Sequence, residues 1–332
     1  IYIGNGHAAW EAALANVLSR GDTVLVLATG SFCIGWGAMA EGMGVNVETI
    51  DYGSHAPIDM SRVAEVLGAD KEGRIKAVLA VHVDTSTSVK NDIAGLRVVM
   101  DSVGHPALLM ADCIASLGCD RFEMDAWGVD VMVSGCQKGL MTPAGMSFVW
   151  FNEKANAARG NCVTSYWDWR PRVNPEMYFQ YFDGTAPTHH LYGLRTALDM
   201  IKTEGLDEVF ARHEKLAQII WAAVDRWSGE GPIKLNIADS AHRSHAVTSI
   251  EIGSPHGDAL RRWCEHQCGL TLGIGLGRSP ADAYFRIGHM GHVNAHMIMG
   301  VLGTIDAGLK ALEIPHGSGA LEAAAFALAQ RA

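Results

Sequence analysis

The sequence predicts an α/β protein, a large layered domain on a mainly parallel seven-stranded sheet followed by a smaller α+β domain, and three observations carry that expectation. From residue 1 to about 200, short apolar runs alternate with helical periods, the pattern of parallel α/β layering. The last two of those runs are separated only by "CQKGLMTPAG", too short for a crossover helix, so that pair is expected to be antiparallel. Beyond a break at Gly205 the strand and helix patterns take an α+β order, which places a large domain at 1–205 and a small one at 206–332.

Taken in order, a strand at the start leads through a glycine loop into the helix "HAAWEAALANVLSR". Strand "TVLVLA", a helix around "IGWGAMAEGMG", strand "VNVETI", helix "MSRVAEVLG" and strand "IKAVLAVH" follow. Helix "DIAGLRVVMDSVG" then precedes three strands, "ALLMAD", "VDVMVSG" and "MSFVWF". An irregular Trp- and Pro-bearing stretch, "YWDWRPRVNPEMYFQYFDGTAP", opens onto a long helical pattern broken at Gly205. The second domain is read from strands "HAVTSIEI" and "YFRIGHM" and helices "GDALRRWCEHQ" and "AHMIMGVLGTIDAGLKAL". Ile1 falls inside a strand pattern, so the sequence predicts that a segment precedes it.

Composition narrows the function. A net charge of -10 without a Lys or Arg run offers no footprint for nucleic acid. No apolar run is long enough to span a bilayer and no secretory leader pattern is present, which predicts a cytoplasmic protein. The 7 cysteines lack paired C-x-x-C spacing and the 15 histidines lack a helical ligand spacing, so neither a disulfide framework nor a metal site is expected.

The opening loop, Gly4-x-Gly6-x-x-Ala9, matches the dinucleotide fingerprint, which raises a nicotinamide-dependent dehydrogenase as one reading. That fingerprint needs an acid at the end of the second strand to hold the ribose, and "LATGSF" has none; Asp22 lies at the wrong end of that strand. What survives is a phosphate cup, in which glycines allow close approach and a helix N-terminus offers N–H groups and positive dipole.

Two further strand ends supply the chemistry. Asp112 closes the apolar strand of "LLMADCIASLG", and Lys138 follows the strand of "VMVSGCQKGL" after a small-residue turn. Singly, an Asp after a strand reads as a helix cap and a turn Lys as a solvated side chain. Together, at neighbouring carboxyl ends and facing a phosphate cup, they suit pyridoxal 5'-phosphate, with Lys138 for the Schiff base and Asp112 for the pyridinium nitrogen.

The runs "GNGHAAWEAALANVL", "HVDTSTSV", "ADCIASLG", "SGCQKGLMTPAG", "FRIGHMG" and "GSGALEAAA" together resemble the class V aminotransferases of pyridoxal-phosphate fold type I. Within them the chain is most similar to the serine– and alanine–glyoxylate group. The resemblance implies that Lys138 carries the cofactor and Asp112 pairs with its ring nitrogen. It also implies that Asn5, Gly6, His7 and Gln137 hold the phosphate, that Phe32 stacks on the ring, and that Thr85 lies near it. Thr185 in "FDGTAP" would reach the phosphate of a partner subunit, implying a homodimer with shared active sites, and Arg286 would take the substrate carboxylate.

The departures from the family pattern are Phe32 for the commoner Trp, Ser88 where Gly is usual, and Phe182 where some relatives carry a phosphate-binding Tyr. The segment expected before Ile1 would help line the substrate pocket and clasp the dimer. The activity implied is transamination between serine, alanine or glycine and a small 2-oxo acid, with glyoxylate as acceptor. Aspartate–glyoxylate, ureidoglycine–glyoxylate and pyridoxamine–pyruvate transamination are the alternatives on the same site, the first calling on Arg278 as a second cation. A lyase or desulfurase on this fold and a silent binding relative are the more distant readings.

Overall fold

The computed structural model describes residues 1–330, which form two compact units. The first comprises Ile1–Asp84, Asn91–Leu117 and Phe122–Met200; the second comprises Thr85–Lys90, Gly118–Arg121 and the chain from Ile201 on.

In the first unit the elements are β1 (Tyr2–Ile3), α1 (Gly6–Val17), β2 (Thr23–Ala28), α2 (Ser31–Gly42), β3 (Asn46–Asp51), α3 (Met60–Ala69), β4 (Ile75–Val81) and α4 (Ile93–Ser102). Then come β5 (Leu108–Asp112), β6 (Val131–Gly135), β7 (Met146–Phe151), the short helices α5 (Glu153–Ala157) and α6 (Arg170–Val173), and α7 (Thr188–Glu204), whose residues from Ile201 on are assigned to the second unit. The strands form one seven-stranded sheet in the order β1-β7-β6-β5-β4-β2-β3. It is parallel from β6 through β3, and β7 runs antiparallel to both β6 and β1, as the short "CQKGLMTPAG" connection predicts.

The central strands are buried along their length, the signature of a parallel sheet covered on both faces. Their side chains alternate between two cores. Val24 and Val26 join Trp10, Leu14, Trp36 and Val133 on one face, while Leu25 and Leu27 join Val63, Leu67, Ile93 and Leu96 on the other. Because β2, β4, β5 and β6 run the same way, their carboxyl ends form one rim, where ligands gather in open α/β sheets.

The second unit contains α8 (Leu206–Trp227), β8 (Lys234–Leu235), β9 (Val247–Glu251), α9 (His256–Cys268), β10 (Gly273–Ile274), β11 (Tyr284–Gly288), α10 (Ala295–Ala311) and α11 (Ala320–Ala329). Its four strands are antiparallel in the order β10-β11-β9-β8 and pack on the helices through Trp227, Phe285, Leu302 and Leu309. The alternation of "HAVTSIEI" and "YFRIGHM" marks the two longer strands. The two-residue edges β8 and β10 carry no periodicity and were not expected.

Candidate active site

Asp112 is the last residue of β5 and is buried, with 3% of its surface exposed. The Ile114 N–H donates to Oδ1 at 2.6 Å and the Trp10 indole N–H donates to Oδ2 at 2.9 Å. Burial pushes its pKa up to about 7, and the carboxylate of Asp84 pushes the same way. The Ile114 and Trp10 donors and the Lys138 ammonium oppose them by favouring the charged form.

Lys138 follows β6 on a turn in which its carbonyl accepts from the Met141 N–H at 3.0 Å and the Cys136 carbonyl accepts from the Thr142 N–H at 3.0 Å. Beside it, the buried Gln137 Oε1 has no hydrogen-bond partner among the described residues. The phosphate loop enters α1 through Asn5, an extended N-cap whose side-chain oxygen accepts from the His7 N–H at 3.0 Å. At Gly6 a Cβ would press on the tip of the Ile114 side chain, which packs against the first turn of α1.

Phe32 lies in the first turn of α2, where its N–H and that of Cys33 donate to Asp84 Oδ2 at 3.0 and 3.4 Å. Asp84 is thus a buried cap on a helix N-terminus, and Gly30 is required because a side chain there would strike its carboxylate. Trp10 joins these parts, with ring centroids 4.7 Å from His7 and 6.2 Å from Phe32, both edge-on. The first unit therefore brings together Asn5, Gly6, His7, Phe32, Asp112, Gln137 and Lys138 around one strand rim. Thr185 is exposed on the loop before α7, outside this set of contacts, and Phe182 is buried against Tyr178.

Thr85 and Arg286 belong to the second unit. Arg286, on β11, donates from Nη1 to the Thr85 carbonyl at 2.9 Å and from Nε to the Ile274 carbonyl at 2.8 Å. The segment after Thr85 is fastened to the neighbouring strand: Asn236 Nδ2 donates to the Thr87 carbonyl at 2.8 Å, and the Ser249 N–H donates to Ser88 Oγ at 3.1 Å. Ser249 is the cross-strand partner of Arg286. Ser88 adopts φ 61°, a left-handed conformation that glycine takes without strain. Arg278 donates to Asn236 Oδ1 at 2.8 Å and lies 4.1 Å over the Tyr284 ring.

Sequence reasoning missed Asp84 and Trp10. Asp84 carries a weaker form of the signal at Asp112, an acid three residues beyond β4 after His82 and Val83; Trp10 is a lone indole in an Ala-rich helix beside the glycine loop.

The family model "Aminotransferase class-V" matches residues 1–293. The chain belongs to the class V aminotransferases. Serine–glyoxylate aminotransferase from Hyphomicrobium methylovorum is 37% identical to this aminotransferase over 98% of the chain and 81% of the relative. L-aspartate–glyoxylate aminotransferase from Paracoccus denitrificans is 35% identical over 98% and 81%. Among solved structures, ureidoglycine–glyoxylate aminotransferase from Bacillus subtilis superposes with a TM-score of 0.87 at 25% identity, covering 99% of this chain and 84% of that one. The fold is that of the type I pyridoxal-phosphate aminotransferases.

The residues present fit such a cofactor. A buried carboxylate with fixed donors stands near an amine, and an aromatic ring sits on a capped helix turn. No helix among the described residues is long and apolar enough to cross a membrane.

Proposed function

We propose that this aminotransferase moves the amino group of a small amino acid (serine, alanine or glycine) onto a small 2-oxo acid, with glyoxylate as acceptor, using pyridoxal 5'-phosphate. The observation that carries the reading is the Asp112–Lys138 pair, a fully buried carboxylate with two N–H donors and an amine in electrostatic reach at the next strand end. The cofactor, when bound, supplies an electron-withdrawing ring that stabilises the negative charge left when the substrate Cα gives up its proton. Lys138 would hold the cofactor at rest and, once freed, take the proton from Cα. Asp112 would hold a positive charge at the ring nitrogen, Phe32 would cover the ring face, and Asn5, Gly6, His7 and Gln137 would hold the phosphate.

Arg286 would take the substrate carboxylate in a two-pronged grip, and Thr85 would lie near the cofactor ring. The aspartate alternative calls on a second cation, and Arg278 is engaged with Asn236 and Tyr284, which favours monocarboxylate donors. A cytoplasmic homodimer completes the proposal, with Thr185 reaching the partner's phosphate. The exposed Met177, Tyr178, Phe179 and Tyr192 in the segment around Thr185 support an apolar interface there. A panel of amino donors and oxo-acid acceptors tests the reading: serine or alanine with glyoxylate, and glycine with pyruvate, are expected to turn over faster than aspartate, and failure of every small amino acid contradicts it.

A further inference from the structure

Trp10 and Trp36 form a natural contrast. Both are buried, their rings stack with centroids 6.0 Å apart and planes 17° apart, and both belong to the same core. The Trp36 indole nitrogen is buried without a hydrogen-bond partner among the described residues, whereas the Trp10 N–H is spent on Asp112 Oδ2 at 2.9 Å. Packing in this core therefore does not require an indole N–H to be paired, and the Trp10 bond is a feature of its position.

That position is specific. With Ile114 N–H on Oδ1 and Trp10 N–H on Oδ2, each carboxylate oxygen has one donor fixed, which sets the plane of the group and leaves further lone pairs on both oxygens. The ring that supplies the second donor also touches His7 on the phosphate loop and Phe32 on α2.

We propose that Trp10 is a positioning residue for the reaction, its indole N–H fixing the Asp112 carboxylate in the orientation that receives a protonated ring nitrogen. The assignment rests on the cofactor reading above. Its physical content is a balance: burial and Asp84 drive Asp112 toward the neutral acid, and Trp10 is one of three groups that hold it charged. Without that N–H, Asp112 keeps a single protein hydrogen-bond donor and turns more freely, so it grips a cationic ring less well.

The test compares Trp10→Phe with Trp36→Phe, which removes a similar volume from the same stack without touching Asp112. Cofactor-free protein is titrated with pyridoxal 5'-phosphate, and the bound cofactor's absorbance is followed against pH. Loss of one hydrogen bond to a charged group is expected to weaken cofactor binding about tenfold in Trp10→Phe and to move the absorbance midpoint to lower pH. Trp36→Phe is expected to stay within about twofold of the parent, since its N–H has no partner to lose. In an Asp112→Asn background Trp10→Phe is expected to add little, because it acts through the group already removed. Where Trp10→Phe does not fold, the benzothienyl analogue of tryptophan at position 10 keeps the ring shape and deletes only the N–H. Equal losses in both Phe variants, a Trp10→Phe indistinguishable from the parent, or an undiminished effect in the Asn background overturns the assignment while leaving the cofactor reading intact. A parent that takes up no pyridoxal phosphate overturns the cofactor reading, and this inference with it.

Discussion

Asp112 in the first unit and His289 in the second are both buried titratable groups shifted toward their neutral forms, yet their surroundings oppose that shift to different degrees. Burial penalises the charge of each. Asp112 nevertheless receives two N–H donors and the field of Lys138, all favouring its charged form. His289 has one hydroxyl partner, Thr248 Oγ1 at 2.9 Å from Nε2, and its Nδ1 has none; burial and the nearby His213 push it down to about 3. The contrast separates a carboxyl whose donors offset part of the cost of charge, leaving it to titrate near neutral pH, from a ring kept neutral for packing. A buried polar group whose protein donors resist the cost of burial is the candidate for chemistry.

The largest expected effect comes from removing the prepared charge. Asp112→Asn keeps the shape and loses the anion, and transamination is expected to fall by about two to four orders of magnitude, read as kcat/KM. The same variant sharpens the stability side of the comparison. An acid whose folded value lies near 7 binds more protons folded than unfolded between about pH 4 and 7, so its contribution to stability is present at low pH and lost as pH rises through that window. Denaturant unfolding of the cofactor-free parent should show that loss relative to Asp112→Asn, and parallel curves break the comparison.

Next in size is Arg286→Lys, which replaces a forked donor by a point charge. A loss of about 1.5–3 kcal/mol, or roughly tenfold to a hundredfold in KM for the amino acid with kcat little changed, is expected. A change in kcat alone would remove Arg286 from carboxylate binding.

His289 gives the opposite pH sign to Asp112. Its folded value lies below that of the unfolded chain, so stability is full above about pH 6.5 and falls as the solution is acidified. Between pH 6.5 and 5 this one ring is expected to cost about 2 kcal/mol, a slope that His289→Gln removes. His213 and His245, also lowered by burial, retain their share in both proteins.

The smallest effect, about 1 kcal/mol, is the difference between two variants at Ser88, where two terms oppose. Ser88→Ala keeps the left-handed φ of 61° and loses the bond from the Ser249 N–H, and is expected to cost about 1–3 kcal/mol. Ser88→Gly loses the same bond but relaxes the backbone by about 1 kcal/mol, so it should be the more stable of the two in thermal unfolding.

Much of the first unit was legible because its strands announce themselves. Runs such as "TVLVLA" and "IKAVLAV" are buried on both faces, and period two then divides Val24 and Val26 from Leu25 and Leu27. Asp112 and Lys138 could be placed because each follows such a run. Asp84 follows one too, but its role depends on the backbone of α2 arriving beside it, a contact across 52 residues of sequence that no local pattern encodes. The Trp10 bond to Asp112 spans 102 residues and is hidden for the same reason. Likewise Thr85–Lys90 and Gly118–Arg121 sit in sequence among first-unit strands yet pack with the second unit, because partners such as Asn236, Ser244 and Ser249 lie far along the chain.

The central claim, that the Asp112–Lys138 pair is built for pyridoxal phosphate, is tested most directly by adding the cofactor to the parent and to Lys138→Ala and recording absorbance before and after L-serine. The account predicts a long-wavelength band in the parent that disappears on adding serine and returns with glyoxylate, with neither event in Lys138→Ala. A parent that develops no such band, or a Lys138→Ala variant that behaves as the parent does, contradicts it.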